Sequence, residues 1–179
     1  LQRTLLSRQI DLIEVIRTGG LPGISMPAGY VAAKLKRGIP VFHGEPIPLP
    51  GTLLALAARE FCDHLARGGA ADPATALARA MDARAVDPGV LVSACFGRDQ
   101  RRVRLMASQA DVSPDLAWLV AEMALAPFAY LLQQRALPAG TAAIAEALRA
   151  WDRGFCPACG SWPAATEATR GAHILPCLF

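Results

Sequence analysis

The residue types best suited to chemistry lie near the end of the chain, in Phe155-Cys156-Pro157-Ala158-Cys159-Gly160-Ser161-Trp162-Pro163-Ala164. Thiols separated by two residues on a reversing chain can hold one tetrahedral metal ion together, and a glycine after the second permits the sharp turn. Cys156 and Cys159 are therefore candidate metal ligands, with Cys177 as a third. Read literally, the spacing Cys-x2-Cys-x13-His-x3-Cys makes His173 the fourth. Pro176 lies between the last two of these and suits a helix poorly, whereas a two-plus-two zinc finger carries its second pair on a helix. A competing reading takes Cys177 as the start of a second Cys-x-x-Cys pair that is truncated in this chain. In a third, the tail binds no metal. The sequence leaves all three open.

Other chemistry has less to stand on. Gly19-Gly20-Leu21-Pro22-Gly23 lacks the Lys and Ser/Thr of a phosphate-cradling loop, and no serine occupies a nucleophile elbow. Cys62 and His64 fall two residues apart within a helical pattern, so they point about 200° away from each other and read as a buried thiol and a surface imidazole. The run 98–104 holds four arginines against Asp99. On a helix Arg98, Arg101 and Arg102 would share a face, either as a site for an acidic partner or as a solvated helix start. The expectation is a protein that is not an enzyme.

The elements that must position the thiols are helical. At 179 residues, 53% hydrophobic and 6% aromatic, the chain suits one helical domain plus a small appendage. A net charge of +3 is too mild to argue for nucleic acid. Five cysteines, two of them in a close pair, suit metal ligation in a reducing compartment better than a disulfide framework, and charges at Arg3, Arg8, Asp11, Glu14 and Arg17 speak against a signal peptide. The apolar stretch 116–132 is interrupted by Glu122 and Pro127 and is shorter than a usual membrane span. A cytoplasmic location without membrane insertion follows as an expectation.

Taken in order, 5–18 predicts a helix with Leu6, Ile10, Ile13 and Ile16 inward. Six glycines and six prolines between positions 19 and 50 leave room only for a short helix over 30–37, whose Lys34, Lys36 and Arg37 read as a solvated face. Leu54, Ala58, Phe61 and Leu65 mark a helix over 51–69. Asp72-Pro73 and Asp87-Pro88 each predict a cap and a first-turn proline, the second before a helix apolar nearly all round. Ser113-Pro114 opens the longest helix, with Leu116, Leu119, Val120, Met123, Leu131 and Leu132 inward. Pro127 cannot donate to the Met123 carbonyl, which predicts a kink. A last helix over 141–149 precedes Trp151. The fold class is mainly α: an irregular helical bundle over 1–150, followed over 151–179 by an incomplete rubredoxin-like or zinc-ribbon knuckle.

The run from Trp151 to Ala164 resembles the first knuckle of the FdhE-type formate dehydrogenase accessory proteins, and the helical stretch before it, with Pro48-Leu49-Pro50 and the helix around 118–134, is similar in order and character. The resemblance implies a cytoplasmic maturation factor, a helical domain followed by rubredoxin-like modules. Such a protein would bind the catalytic subunit of a formate dehydrogenase. It also implies iron, with zinc as the alternative metal, held by Cys156, Cys159 and Cys177. The sequence departs from the family pattern after Cys177, where the further pairs are missing. Two other readings compete. A zinc-knuckle module for protein or nucleic acid would want basic residues near the knuckle, and an active dithiol would want a thioredoxin-like βαβ context, which is not evident.

Overall fold

The computed structural model describes residues 1–162, together with the backbone of 167–169 and 172–174. In chain order the elements are α1 (Gln2–Gly19), α2 (Ala28–Lys36), α3 (Gly51–Arg67), α4 (Ala71–Asp82), α5 (Pro88–Phe96), α6 (Gln100–Gln109), α7 (Pro114–Ala136), α8 (Ala142–Arg149), β1 (Glu167–Thr169) and β2 (Ala172–Ile174). The protein is mainly helical. They fall into two compact units, one of Leu1–Gly20 with Pro48–Phe128 and one of Leu21–Ile47 with Ala129–Phe179.

The first unit is built on α3, which packs against α4 and α5. Its stripe of Leu54, Ala57, Ala58, Phe61, Cys62 and Leu65 is buried, and small alanines in it let the neighbouring helices approach closely. Arg59 reinforces the pairing with α4 by a two-pronged contact to Asp82 (Nε–Oδ1 2.8 Å, Nη2–Oδ2 3.0 Å) and a third bond to Asp63 at 2.6 Å. Being near the surface, this cluster contributes register more than stability. Three successive helices of the unit end alike. Arg84, Arg98 and Asp111 take left-handed φ values of 59°, 59° and 51°, and in each case the residue after the turn donates back to the closing helix. The next helix then starts at a side-chain cap in all three cases, the last being Ser113 Oγ, which accepts from Leu116 N–H at 3.3 Å. Asp87 Oδ1 accepts from Val90 N–H and Asp99 Oδ1 from Arg102 N–H, both at 2.9 Å.

In the second unit α2 packs on α8, and the segment 38–45 runs between α2 and the turn that carries Cys156 and Cys159. β1 and β2 form an antiparallel pair with Glu167 opposite Ile174, Ala168 opposite His173 and Thr169 opposite Ala172.

Several expectations need correction. The inward face of α1 is only partly the expected one: Ile16 is buried and Ile13 half-buried, but Leu12 is buried where it was not expected, while Leu6 and Ile10 are 59% and 60% exposed. Arg8, paired with Glu60, and Gln9, bonded to Met123, lie on the inner side and fix this orientation. Asp72 is not a cap, because α4 begins one residue earlier at Ala71. Arg98 sits in the turn after α5 instead of on α6, so it does not share a helical face with Arg101 and Arg102. Leu119 is 42% exposed. Lys34 belongs to the interior, as described below. The apolar stretch of α7 extends over a 23-residue helix, the one described helix long and apolar enough to cross a membrane, and 67% of its most apolar window is buried inside the protein.

Pro127 lies inside α7, which continues through it. The Met123 carbonyl, deprived of its helical donor by the proline ring, accepts instead from Gln9 Nε2 of α1 at 3.1 Å. Gln9→Ala should therefore cost about 1–2 kcal/mol by leaving that acceptor unsatisfied. It should cost far less once Pro127→Ala restores an N–H at the same carbonyl. Denaturant unfolding of the four proteins of this cycle measures the coupling, and equal penalties in both backgrounds would show that Gln9 is no substitute donor.

Candidate metal centre

The turn bearing the thiols is closed by main-chain hydrogen bonds. Cys156 N–H donates to the Ser161 carbonyl and Gly160 N–H to the Cys156 carbonyl, both at 2.9 Å. Gly160 is needed twice over. Its φ is +75°, a region side chains avoid, and a Cβ there would come within 3.2 Å of Pro40 Cγ. Cys159 Sγ donates to Ser161 Oγ at 3.2 Å, and both residues are buried, whereas Cys156 is half-buried. Aromatic rings brace the entry. Trp151 Nε1 donates to the Phe155 carbonyl at 2.9 Å, and the Phe155 ring meets Trp151 and Trp162 edge-on at 5.5 and 6.2 Å.

A second layer holds the turn from outside. Val41 N–H donates to the Pro157 carbonyl and Phe42 N–H to the Ala158 carbonyl, each at 2.9 Å. The segment making those bonds is tied in turn to Lys34, which is only 7% exposed. Its ammonium donates to the Val41 carbonyl at 2.8 Å, the His43 carbonyl at 2.6 Å and Glu45 Oε1 at 2.6 Å, and lies 5.6 Å from the centre of the Tyr30 ring. All three of its donor directions are thus used. Tyr30 Oη donates to the same Glu45 oxygen at 2.6 Å. The Lys34 ammonium, and after it the Tyr30 hydroxyl, hold the Glu45 carboxyl below its ordinary value of 4.5. The same hydrogen bond to Glu45 raises Tyr30 above 10.0.

The thiol environments divide sharply. Burial pushes Cys62 up to about 11, and burial followed by the charge of Glu122 raises Cys95 as well, so both core thiols are held protonated and unsuited to ligation. Cys156 and Cys159 share one turn and offer the soft sulfur donors that zinc or iron takes. By donor type and spacing they suit one half of a tetrahedral site. Cys177 lies outside the described residues. His173 falls in β2 opposite Ala168, on the hairpin that follows the turn. Among the described residues no group of three or more His, Cys, Asp or Glu is gathered so as to hold a metal ion.

Lys34, Glu45 and Tyr30 are the contributors that sequence reasoning missed. The signal was present: Val31, Lys34 and Leu35 have the i, i+3, i+4 spacing of a buried stripe. The arginine-rich region looks different from its sequence. Arg98 Nη1 pairs with Glu122 Oε1 at 2.6 Å and its guanidinium lies 5.8 Å from the centre of the Trp118 ring, while Arg101, Arg102 and Arg104 are exposed on α6. Gln100, Val103, Arg104, Pro114, Asp115 and Trp118 line an open cavity of about 190 Å³ beside them.

Comparison with protein families, with curated proteins and with solved structures gives no match to this chain.

The depressed Glu45 carboxyl has a pH consequence. Because folding lowers its pKa, its contribution is fully present above the unfolded value near 4.5 and is lost as pH falls through the lower folded value. The stability difference between the wild type and Glu45→Gln should be largest near neutrality and shrink on acidification through that range. Urea unfolding followed at several pH values tests this, and a difference that stays constant down to pH values below the folded pKa would remove Glu45 from the account.

Proposed function

We propose that the chain is an FdhE-type formate dehydrogenase accessory protein, a cytoplasmic maturation factor that is not itself an enzyme. It binds the catalytic subunit of a formate dehydrogenase and carries a rubredoxin-like site for iron, or for zinc, on Cys156, Cys159 and Cys177. The observation that carries this reading is the closed turn 156–161, with two thiols, two main-chain hydrogen bonds and a left-handed glycine, followed by an antiparallel hairpin. A metal knuckle needs such a reversing turn to bring its first two sulfurs to one ion. The resemblance in the run from Trp151 to Ala164 supplies the family.

Thiolate-held iron would supply one-electron chemistry, and zinc a purely structural tie. What the chain's own residues do is narrower. Cys156 and Cys159 present two sulfurs from one rigid turn, Ser161 Oγ orients the second, and Trp151 with Phe155 fixes the approach of the chain. The client-binding role rests on α6, where Arg101, Arg102 and Arg104 stand exposed beside the Trp118 cavity. No ion pair engages these three among the described residues. They therefore suit an acidic surface of the partly folded client, with arginine favoured for its forked recognition of carboxylates.

Protein purified without metal-chelating tags should contain iron or zinc bound to thiolate, read by elemental analysis and by sulfur-to-iron charge-transfer absorption. Metal content unaffected by replacing Cys156 and Cys159 with serine would count against the site. Pull-down with the formate dehydrogenase catalytic subunit should be salt-sensitive and fall about tenfold or more when Arg101 and Arg104 are changed together to glutamate. Failure of the wild type to retain that subunit, or retention of single-stranded RNA in its place, would overturn the assignment of the client.

A further inference from the structure

We infer that Lys34 is a positioning residue for the Cys156/Cys159 turn, acting through the segment 41–45 as a clamp supplied from α2. The metal part of this inference rests on the function proposed above; the clamp itself does not.

The chain of contacts is short and each link is a hydrogen bond. Lys34 Nζ grips the carbonyls of Val41 and His43 at 2.8 and 2.6 Å, which leaves the N–H groups of Val41 and Phe42 directed at the carbonyls of Pro157 and Ala158, at 2.9 Å each. Pro157 and Ala158 are the two residues between the thiols. Their carbonyls are therefore held by main chain from a distant part of the sequence, and the turn's inward-facing Ala158 is wholly buried. Gly160 closes against Pro40 on the same segment, and Gly38 leaves room for Arg153, since a Cβ there would come within 2.7 Å of Arg153 Nε. So 38–45 follows the knuckle from its entry to its closing glycine.

The physical reason for a lysine here is reach combined with donor number. An isolated turn of the Cys-x-x-Cys type must be ordered when metal binds, and that ordering opposes affinity. A strand laid against the turn removes the cost only if the strand is itself fixed. Between Gly38 and Gly44 it contains no regular element, and among the described contacts it is a buried ammonium that ties two of its carbonyls to a helix. An apolar side chain of the same length would fill the space and leave those carbonyls without their donor. Glu45 neutralises the ammonium, and Tyr30 fixes Glu45.

The test uses the whole chain, first stripped of metal with a chelator and then reloaded with zinc or ferrous iron. In the metal-free protein, Lys34→Met should raise the rate of alkylation at Cys156 by about tenfold or more and speed amide exchange at Val41, Phe42 and Gly160, while Cys62 and Cys95 stay protected. In the reloaded protein the same substitution should speed metal release to a competing chelator by a similar factor. Glu45→Gln, which keeps the lysine and its carbonyl bonds, should give the same pattern more weakly, and it carries the test should Lys34→Met fail to fold. Equal alkylation of Cys156 in wild type and both variants, or exposure of Cys62 and Cys95 to the same extent as Cys156, would overturn the clamp. Unchanged metal release from a reloaded Lys34→Met protein would overturn the positioning role. A wild type that takes up neither metal would refute the proposed metal site, and the alkylation contrast would still decide the clamp.

Discussion

Removing an ammonium from water costs several kcal/mol unless every donor finds a partner, and Lys34 is the place where this chain meets that cost. Its three partners are two main-chain carbonyls and one carboxylate, all drawn from the segment that follows α2 in sequence. The side chain leaves from the last turn of α2, where the helix end favours positive charge, and turns back over the loop. The loop 38–45, which also bonds to the backbone at 157–158 and buries Val41 and Phe42, is thereby tied to α2 as well. Everything that leans on this loop inherits that order: Pro40 against Gly160, Val41 and Phe42 against the backbone between the thiols.

The helical body solves a different problem by repetition. Short helices rich in alanine and leucine pack closely, but each must stop and restart within a few residues. In α4, α5 and α6 the stop is a left-handed residue that is not glycine, at Arg84, Arg98 and Asp111. Such residues carry a steric cost. Arg98 uses the outward turn to reach Glu122 and cover Trp118. The caps at Asp87 and Asp99 then satisfy a free N–H of the following helix. The same economy operates at Pro127, where the donor missing from one helix arrives from another as the Gln9 side chain.

Much of the helical order was legible because it depends on local rules. The stripe Leu54, Ala58, Phe61, Leu65, the Asp87-Pro88 cap and the reading of Cys62 as a buried thiol all follow from spacing within one helix, and all are found. The thiol turn was legible for the same reason, since Cys-Pro-Ala-Cys-Gly encodes its own reversal. What failed depends on partners far along the chain. α1 offers two overlapping apolar stripes, and the choice between Ile10 and Leu12 is made by Glu60 and Met123, which no window over α1 contains. Lys34 failed likewise: a cation in a Gly- and Pro-rich stretch reads as solvated until the carbonyls that desolvate it are known. Asp72 and Arg98 failed by a two-residue shift of a helix end, enough to turn a cap into a first-turn residue and a helical arginine into a loop one. Cys177, the third candidate ligand, lies outside the described residues, so only the Cys156/Cys159 half of the candidate site can be compared with its sequence reading.

Four of the five cysteines show how burial assigns roles to identical side chains. Cys62 and Cys95 sit on helices whose apolar surroundings penalise the thiolate, and without the thiolate a sulfur is neither a nucleophile nor a good ligand. Cys156 and Cys159 occupy a turn whose main-chain hydrogen bonds close it, whose flanks are aromatic, and whose geometry is set by glycine and by the segment 38–45 beside it. Preorganisation of this kind matters most where a turn supplies only some of the donors, because affinity then depends on how little must be ordered when the others arrive. The hairpin of β1 and β2 follows directly and puts residues near position 173 on a short antiparallel ladder. The turn and the ladder are thus each ordered by main-chain hydrogen bonds of their own.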